Sequence, residues 1–189
     1  ITKEQSGRGS LSAMDEIAGR VASFSDDGKG VQDEALMRQA MIKAAALDRV
    51  ITAHCENEAY PAKDARSEWT EAVRDIQLTE ETGAALHICH VSSARTLEAV
   101  REAKARGVNV TCETAPHYIA FSEEDVTDDG KFKMNPPIRS ERDKAAILEA
   151  VKDGTIDMIA TDHAPHSAEE KSKGFEDSLN GIIGLETAF

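Results

Sequence analysis

The sequence predicts an α/β fold of parallel strand–helix units. Short β-branched apolar stretches alternate with segments whose apolar residues recur at helical spacing. Glycines and cap-forming residues punctuate that alternation where a helix should start or stop. Side chains of metal-ligating type recur just past the strands, on the edge where parallel sheets carry their sites.

The elements follow in order. Residues 21–25 read as a first strand, closed by Asp26-Asp27-Gly28. Leu36, Met37, Ala40, Met41, Ala44 and Ala45 mark the first helix. Residues 50–53 form a second strand that runs into His54. A helix over 67–81 is anchored by Val73, Ile76 and Leu78 and stopped by Gly83. Residues 85–90 are the third strand. Ser92 or Ser93 caps the next helix, which carries Leu97, Val100 and Ala103 and ends at Gly107. Residues 108–112 are the fourth strand. A long loop follows, with Pro116, Gly130, Pro136 and Pro137; loops of that length are usually functional or mobile. Ser140 with Asp143 resembles a capping box before Ala145, Ala146, Ile147, Ala150 and Val151. Gly154 ends that helix, and residues 156–160 are the fifth strand. On this alternation alone an open doubly wound sheet and a closed barrel both fit.

Composition narrows the function classes. A chain of 189 residues, 40% hydrophobic and 30% charged, suits one globular domain with a real core. The balance of 22 − 35 = −13 repels nucleic-acid phosphates and anionic membranes. No apolar run approaches the ~18 residues that span a bilayer. Cys55, Cys89 and Cys112 are odd in number and form no CxxC pair, which points to reduced thiols and a cytoplasmic setting. The first residue is not Met and the last residues form an apolar run, as expected of a piece of a longer chain. Phosphate-binding GxxxxGK[ST] and GxGxxG motifs are missing from the sequence, as is the G-x-S-x-G elbow of serine hydrolases.

The informative polar residues are Asp27, His54, His90 and Asp162, each at or just past the end of a different strand. In a parallel barrel those ends converge on one face. Two imidazoles and two carboxylates suit zinc or another divalent ion. A bound water would ionise near neutral pH, and a carboxylate would carry its proton to the leaving nitrogen. Asp162, straight after an apolar strand, suits that proton transfer. His87 falls on the opposite face from His90 by strand periodicity and reads as structural. His163 likewise points away from Asp162 and reads as support. His166, in a loop over the same mouth, is placed to touch substrate. His117 is assigned no role, and the three cysteines read as packed thiols.

The segments Phe24-Ser25-Asp26-Asp27-Gly28, Thr52-Ala53-His54-Cys55-Glu56, His87-Ile88-Cys89-His90-Val91-Ser92, Phe132-Lys133-Met134-Asn135-Pro136-Pro137 and Ala160-Thr161-Asp162-His163-Ala164-Pro165-His166 resemble the dihydroorotases of the long bacterial class, within the amidohydrolase superfamily. The resemblance covers nearly the whole chain. It implies a (β/α)8 TIM-type barrel with one or two Zn2+ ions, represented here by about five strand–helix units over 1–189. It implies reversible closure of N-carbamoyl-L-aspartate to L-dihydroorotate in pyrimidine biosynthesis. It makes Asp27 the metal-bridging carboxylate, His54 and His90 ligands of the second metal, and Asp162 both ligand and general acid/base. Asn135, His166, Asn180 and Gly181 match substrate-contacting positions. A homo-oligomer and an aspartate carbamoyltransferase partner are also implied.

Three departures stand out. The family's His-x-His metal pair is absent, with its nearby substrate arginine. The stretch between Asn57 and Ser67 is shorter than the family pattern, which implies a gap near 57–67. No C-terminal extension follows the last unit. A related reading, a hydantoinase, dihydropyrimidinase or allantoinase, would bridge its metals with a carbamylated lysine. Here the position reads Ser25-Asp26-Asp27, with Lys29 beyond the strand end. A third reading is a catalytically silent scaffold for the carbamoyltransferase, which the ligand-type residues oppose.

Overall fold

The structure, a computed structural model, describes residues 1–188. The chain runs α1 (Met14–Ile17), β1 (Ser23–Phe24), α2 (Glu34–Ala46), β2 (Val50–Ala53), α3 (Arg66–Thr82), β3 (Ala85–Ile88), α4 (Ala94–Ala105) and β4 (Val110–Thr114). It continues through α5 (Pro116–Ala120), α6 (Glu141–Asp153), β5 (Met158–Ile159), α7 (Ala168–Lys171) and α8 (Gly174–Asp177). The five strands form one sheet in the order β1-β2-β3-β4-β5, every pair parallel.

That order decides between the two architectures. A doubly wound sheet reverses direction at a switch point and covers both faces with helices. Here each strand lies beside the next in sequence. Ile51, Leu86, Ile88 and Cys112 are buried in one core with Met41, Ile76, Leu97 and Ile147 of the helices. Thr52, His87, Thr111 and Glu113, one residue out of phase, are only half-buried on the other face. Helices on one face and an unreversed strand order make the sheet an arc of a (β/α) barrel.

Local chemistry explains the element ends. The Asp33 side chain accepts from the Ala35 and Leu36 amides to start α2, and Ser93 accepts from the Thr96 amide to start α4. Gly83 closes α3 at φ 67°, a conformation that costs a residue with a Cβ. Fully burying Ile88 or Leu97 stabilises the layer by roughly 2 kcal/mol each.

The structure corrects several expectations. Strands β1 and β5 are shorter than the expected 21–25 and 156–160, since each is an edge with a single ladder to delimit it. The expected long loop is partly folded: Pro116 opens α5, where a missing amide costs nothing, and 3-10 turns follow at Glu123–Asp125 and Gly130–Phe132. Only half of the expected capping box forms. Ser140 accepts from the Asp143 amide, but Asp143 Oδ1 accepts from the Ala94 amide at 2.8 Å, tying α6 to α4. Among the described residues no helix is long and apolar enough to cross a membrane.

Candidate active site

Asp27 follows β1, His54 follows β2, His90 follows β3 and Asp162 follows β5, so the barrel arc delivers all four to one edge. They line one cavity of about 190 Å³ together with Asn135, Asn180, Gly181, Gly28, Met134 and Ala164. Seven of the eight residues picked from sequence therefore meet. The eighth, His166, lies next door. It lines an apolar cavity of about 610 Å³ with Phe121, Phe132, Ile182 and Ile183, which shares Ala164 and Gly181 with the first. The larger cavity has no converging carboxylates; the smaller one has the chemistry. His166 Nε2 contacts the Asn180 carbonyl at 2.8 Å, so it touches the cavity wall from behind.

The adjacent aspartates divide cleanly. Asp26 is buried and accepts from the Ile1, Thr2 and Gly7 nitrogens and from the Thr2 hydroxyl. Burial opposes its charge, but those hydrogen bonds hold it below the usual carboxylate range. Asp27 is exposed to the cavity instead.

His54 Nδ1 and His90 Nε2 face each other at 2.8 Å. His54 Nε2 meets Glu56 Oε2 at 3.1 Å, and Asn135 Nδ2 donates to the same oxygen at 2.8 Å. Lys29 Nζ donates to Glu56 Oε1 at 2.9 Å. Burial works against the Glu56 charge, yet the hydrogen bonds from His54, Lys29 and Asn135 outweigh it and hold the carboxyl at about 2. Glu56 thus orients His54 from behind and joins it to Asn135. Sequence reasoning missed it, although the period of two along an extended chain places Glu56 on the same side as His54.

His90 and Asp162 adopt left-handed backbone conformations, φ 37° and 46°, a strain that clusters at functional positions. Burial and then the neighbouring His54 pull His90 down to about 4, so it is a neutral imidazole at pH 7. Its Nδ1 is buried without a hydrogen-bond partner. Asp162 stands open at the cavity mouth. Partial desolvation and then the charge of Asp27 still raise its carboxyl, with His54 opposing. An orphaned imidazole nitrogen, two facing ring nitrogens and two mutually repelling carboxylates on one cavity are what a divalent cation would relieve. The residues present fit a metal.

Behind His90 lies a second arrangement that sequence reasoning missed. The Glu68 carboxylate of α3, 2% exposed, accepts from the Ser92 amide and hydroxyl, the Ser93 amide at 3.0 Å and hydroxyl at 2.9 Å, and Thr96 Oγ1 at 2.7 Å. It fixes the chain just after His90 to the start of α4. No spacing rule links residue 68 to 92, so only the packed structure shows it.

The remaining histidines and cysteines fall as follows. His87 is on the inner face, its nitrogens against Thr111 Oγ1 at 2.8 Å and Glu113 Oε2 at 3.2 Å. Cys89 completes a His87–Cys89–Glu113 group whose ligating atoms lie within 4.8 Å of one another. Burial, then Glu113, pushes the Cys89 thiol up to about 12, so without a metal it is a neutral packed thiol. His163 Nδ1 accepts from the Gly184 and Leu185 amides, a supporting contact. His117 is buried, and burial and then His90 draw it down to about 4.

A family model described as the amidohydrolase family matches residues 12–188. A dihydroorotase of Fusobacterium nucleatum is 44% identical over all of this chain and 48% of its own length. One of Brevibacillus brevis is 46% identical over 89% of this chain and 44% of its own length. The chain thus spans about half the length of the curated relatives it matches. Among solved structures, a D-hydantoinase (dihydropyrimidinase) from Thermus sp. superposes with a TM-score of 0.81 at 26% identity, over 94% of this chain and 47% of that one. An L-hydantoinase from Arthrobacter aurescens superposes with a TM-score of 0.76 at 27% identity, over 88% and 42%. The matched sequence model and the barrel arc agree: this chain belongs to the amidohydrolase family.

Proposed function

We propose that the protein to which these residues belong is a zinc-dependent dihydroorotase, which hydrolyses L-dihydroorotate reversibly to N-carbamoyl-L-aspartate. One observation carries the choice over a hydantoinase. An aspartate, Asp27, faces His54, His90 and Asp162 across the cavity. Lys29, the lysine nearest in sequence, is turned to Glu56 and Glu58. A lysine-bridged metal pair would need the reverse. Identities of 44–46% to dihydroorotases support the same reading.

Asp27, His54, His90 and Asp162 would hold the metal. When bound there, it supplies Lewis acidity toward the ring amide carbonyl and lets water attack near neutral pH. The chain's own residues do the rest. Asp162 takes a proton from the attacking water and returns it to the ring nitrogen as the amide C–N bond breaks. Glu56 holds His54 in one orientation, as the partners behind metal-binding imidazoles do. Asn135, Asn180 and Gly181 form the wall on which the substrate's polar atoms would lie, with His166 behind them.

The test is turnover by the purified full-length protein, assayed for metal content and supplied with zinc. Hydrolysis of L-dihydroorotate with negligible hydantoin hydrolysis is expected. Hydantoin turnover without L-dihydroorotate turnover would overturn the assignment.

A further inference from the structure

We infer that Lys171 is a positioning residue for substrate binding: its ammonium clasps the loop that presents Asn135 to the loop that presents Asn180 and Gly181. The inference rests on the function proposed above. Lys171 Nζ donates to three backbone carbonyls, Lys133 at 3.1 Å, Leu179 at 2.8 Å and Gly181 at 2.8 Å. An ammonium has three donors, and all three are spent on the two loops. The Gly181 amide adds a direct bond to the Lys133 carbonyl at 2.9 Å.

The charge is used in an unusual way. The chain carries 35 carboxylate residues, yet among the described residues no ion pair involves Lys171. Its contacts are carbonyl oxygens from residues 133 and 179–181, far apart in sequence and adjacent at the cavity. A surface lysine kept for solubility would not converge on three carbonyls. The same interface is closely built elsewhere. A Cβ on Gly130 would come within 2.3 Å of the Lys171 carbonyl and 2.1 Å of Ser178 Oγ. The Phe175 amide donates to Asp128 Oδ1 at 2.8 Å across the same pair of loops. Asn135, Asn180 and Gly181 all line the ligand-type cavity, so loosening the clasp separates the substrate wall; the one link onward to His54 runs from Asn135 through Glu56, which Lys29 also holds.

The experiment uses the full-length protein with Lys171→Met, and Gly130→Ala as a second wedge in the same seam. In both, KM for L-dihydroorotate is expected to rise about tenfold or more, the scale of one lost charge-assisted hydrogen bond. Turnover at saturation should stay within about threefold and metal content should match the parent, since only ground-state and transition-state binding in common is removed. Amide exchange should speed up in residues 128–137 and 174–184 together, with Gly181 among the fastest gainers. An unchanged KM in both variants, or a fall in kcat that tracks metal loss, would sink the assignment. A parent that does not turn over L-dihydroorotate refutes the proposed function instead. Amide exchange then still decides the clasp, because protection unchanged by Lys171→Met refutes it in active or inactive protein.

Discussion

Asp162 is the residue at which chemistry and backbone can be separated by one substitution. Its φ of 46° lies in the left-handed region, which asparagine tolerates better than most residues. Among the described residues its carboxylate makes no hydrogen bond that an amide would break. Asp162→Asn should therefore leave the thermal midpoint within about 2 °C of the parent. It removes the only proton carrier in the proposed mechanism and weakens one of the four residues that would hold the metal. With metal content matched to the parent, kcat with L-dihydroorotate should therefore fall about a thousandfold, in the range of lost general acid/base catalysis. A near-normal rate would take Asp162 out of that role. Asp27, His54, His90 and Asp162 were legible in the sequence as candidates because each is a ligand type at the end of a different strand, and parallel topology gathers such ends on one edge. Glu56 was legible in principle, two residues past His54. Glu68 was not: its carboxylate reaches Ser92 and Ser93 from a different helix, and that juxtaposition exists only after α3 and α4 have packed.

Helix α3 shows what apolar periodicity reveals and what it hides. Val73, Ile76 and Leu78 marked it, and its bounds come within a residue of expectation at each end. Its buried face is nonetheless mostly polar, with Ser67, Glu68, Glu71, Asp75 and Thr79 beside Ala72, Ile76 and Leu78. Glu71, Arg74 and Asp75 form a cluster beneath the site, with Arg74 Nη2 donating to Glu71 Oε1 at 2.9 Å and Asp75 Oδ1 at 2.7 Å. Gln32 Nε2 reaches both Glu71 and the Glu56 carbonyl. Burial and then the charge of Asp75 raise Glu71 to about 7. Burial raises Asp75 to about 6, although Arg74 opposes it. A carboxylate whose folded pKa exceeds its ordinary value of 4.5 keeps a proton that the unfolded chain has already lost. Its contribution to stability is therefore complete below pH 4.5 and lost as the pH rises toward 7. Glu71→Gln removes that titration. Between pH 5 and pH 8 the parent should lose on the order of 1–3 kcal/mol relative to Glu71→Gln, measured as denaturant unfolding at both pH values. An identical pH dependence in the two proteins would show that Glu71 titrates normally.

At the scale of the whole molecule, the alternation of strands and helices left two architectures open because both share it. What separates them is the strand order and which face of each strand is covered, and both depend on contacts between units rather than on any unit's own pattern. The covered face was legible as apolar residues. The inner face, with Thr52, His87, Thr111 and Glu113, carries polar residues that a surface strand would also carry. This arc has consequences for the 189-residue polypeptide in solution. β1 and β5 are the two edges of this sheet. Met158 and Ile159 of β5 are each 50% exposed, and Ile183 and Leu185 further along the chain are 65% and 61% exposed. Unprotected apolar edge strands pair with other chains. The polypeptide should therefore self-associate at about 10 µM, read as a concentration-dependent mass by light scattering coupled to size exclusion. Met158→Lys combined with Ile159→Lys places two charges on that edge and should shift the distribution toward monomer, since edge lysines block strand addition. Both residues lie before the cavity-lining Asp162, and neither lines the cavity, so the doubly substituted chain should keep the same fold by circular dichroism. A parent that stays monomeric across the concentration range would mean that the β5 edge is already protected in solution, and the arc's open side would then need a different account.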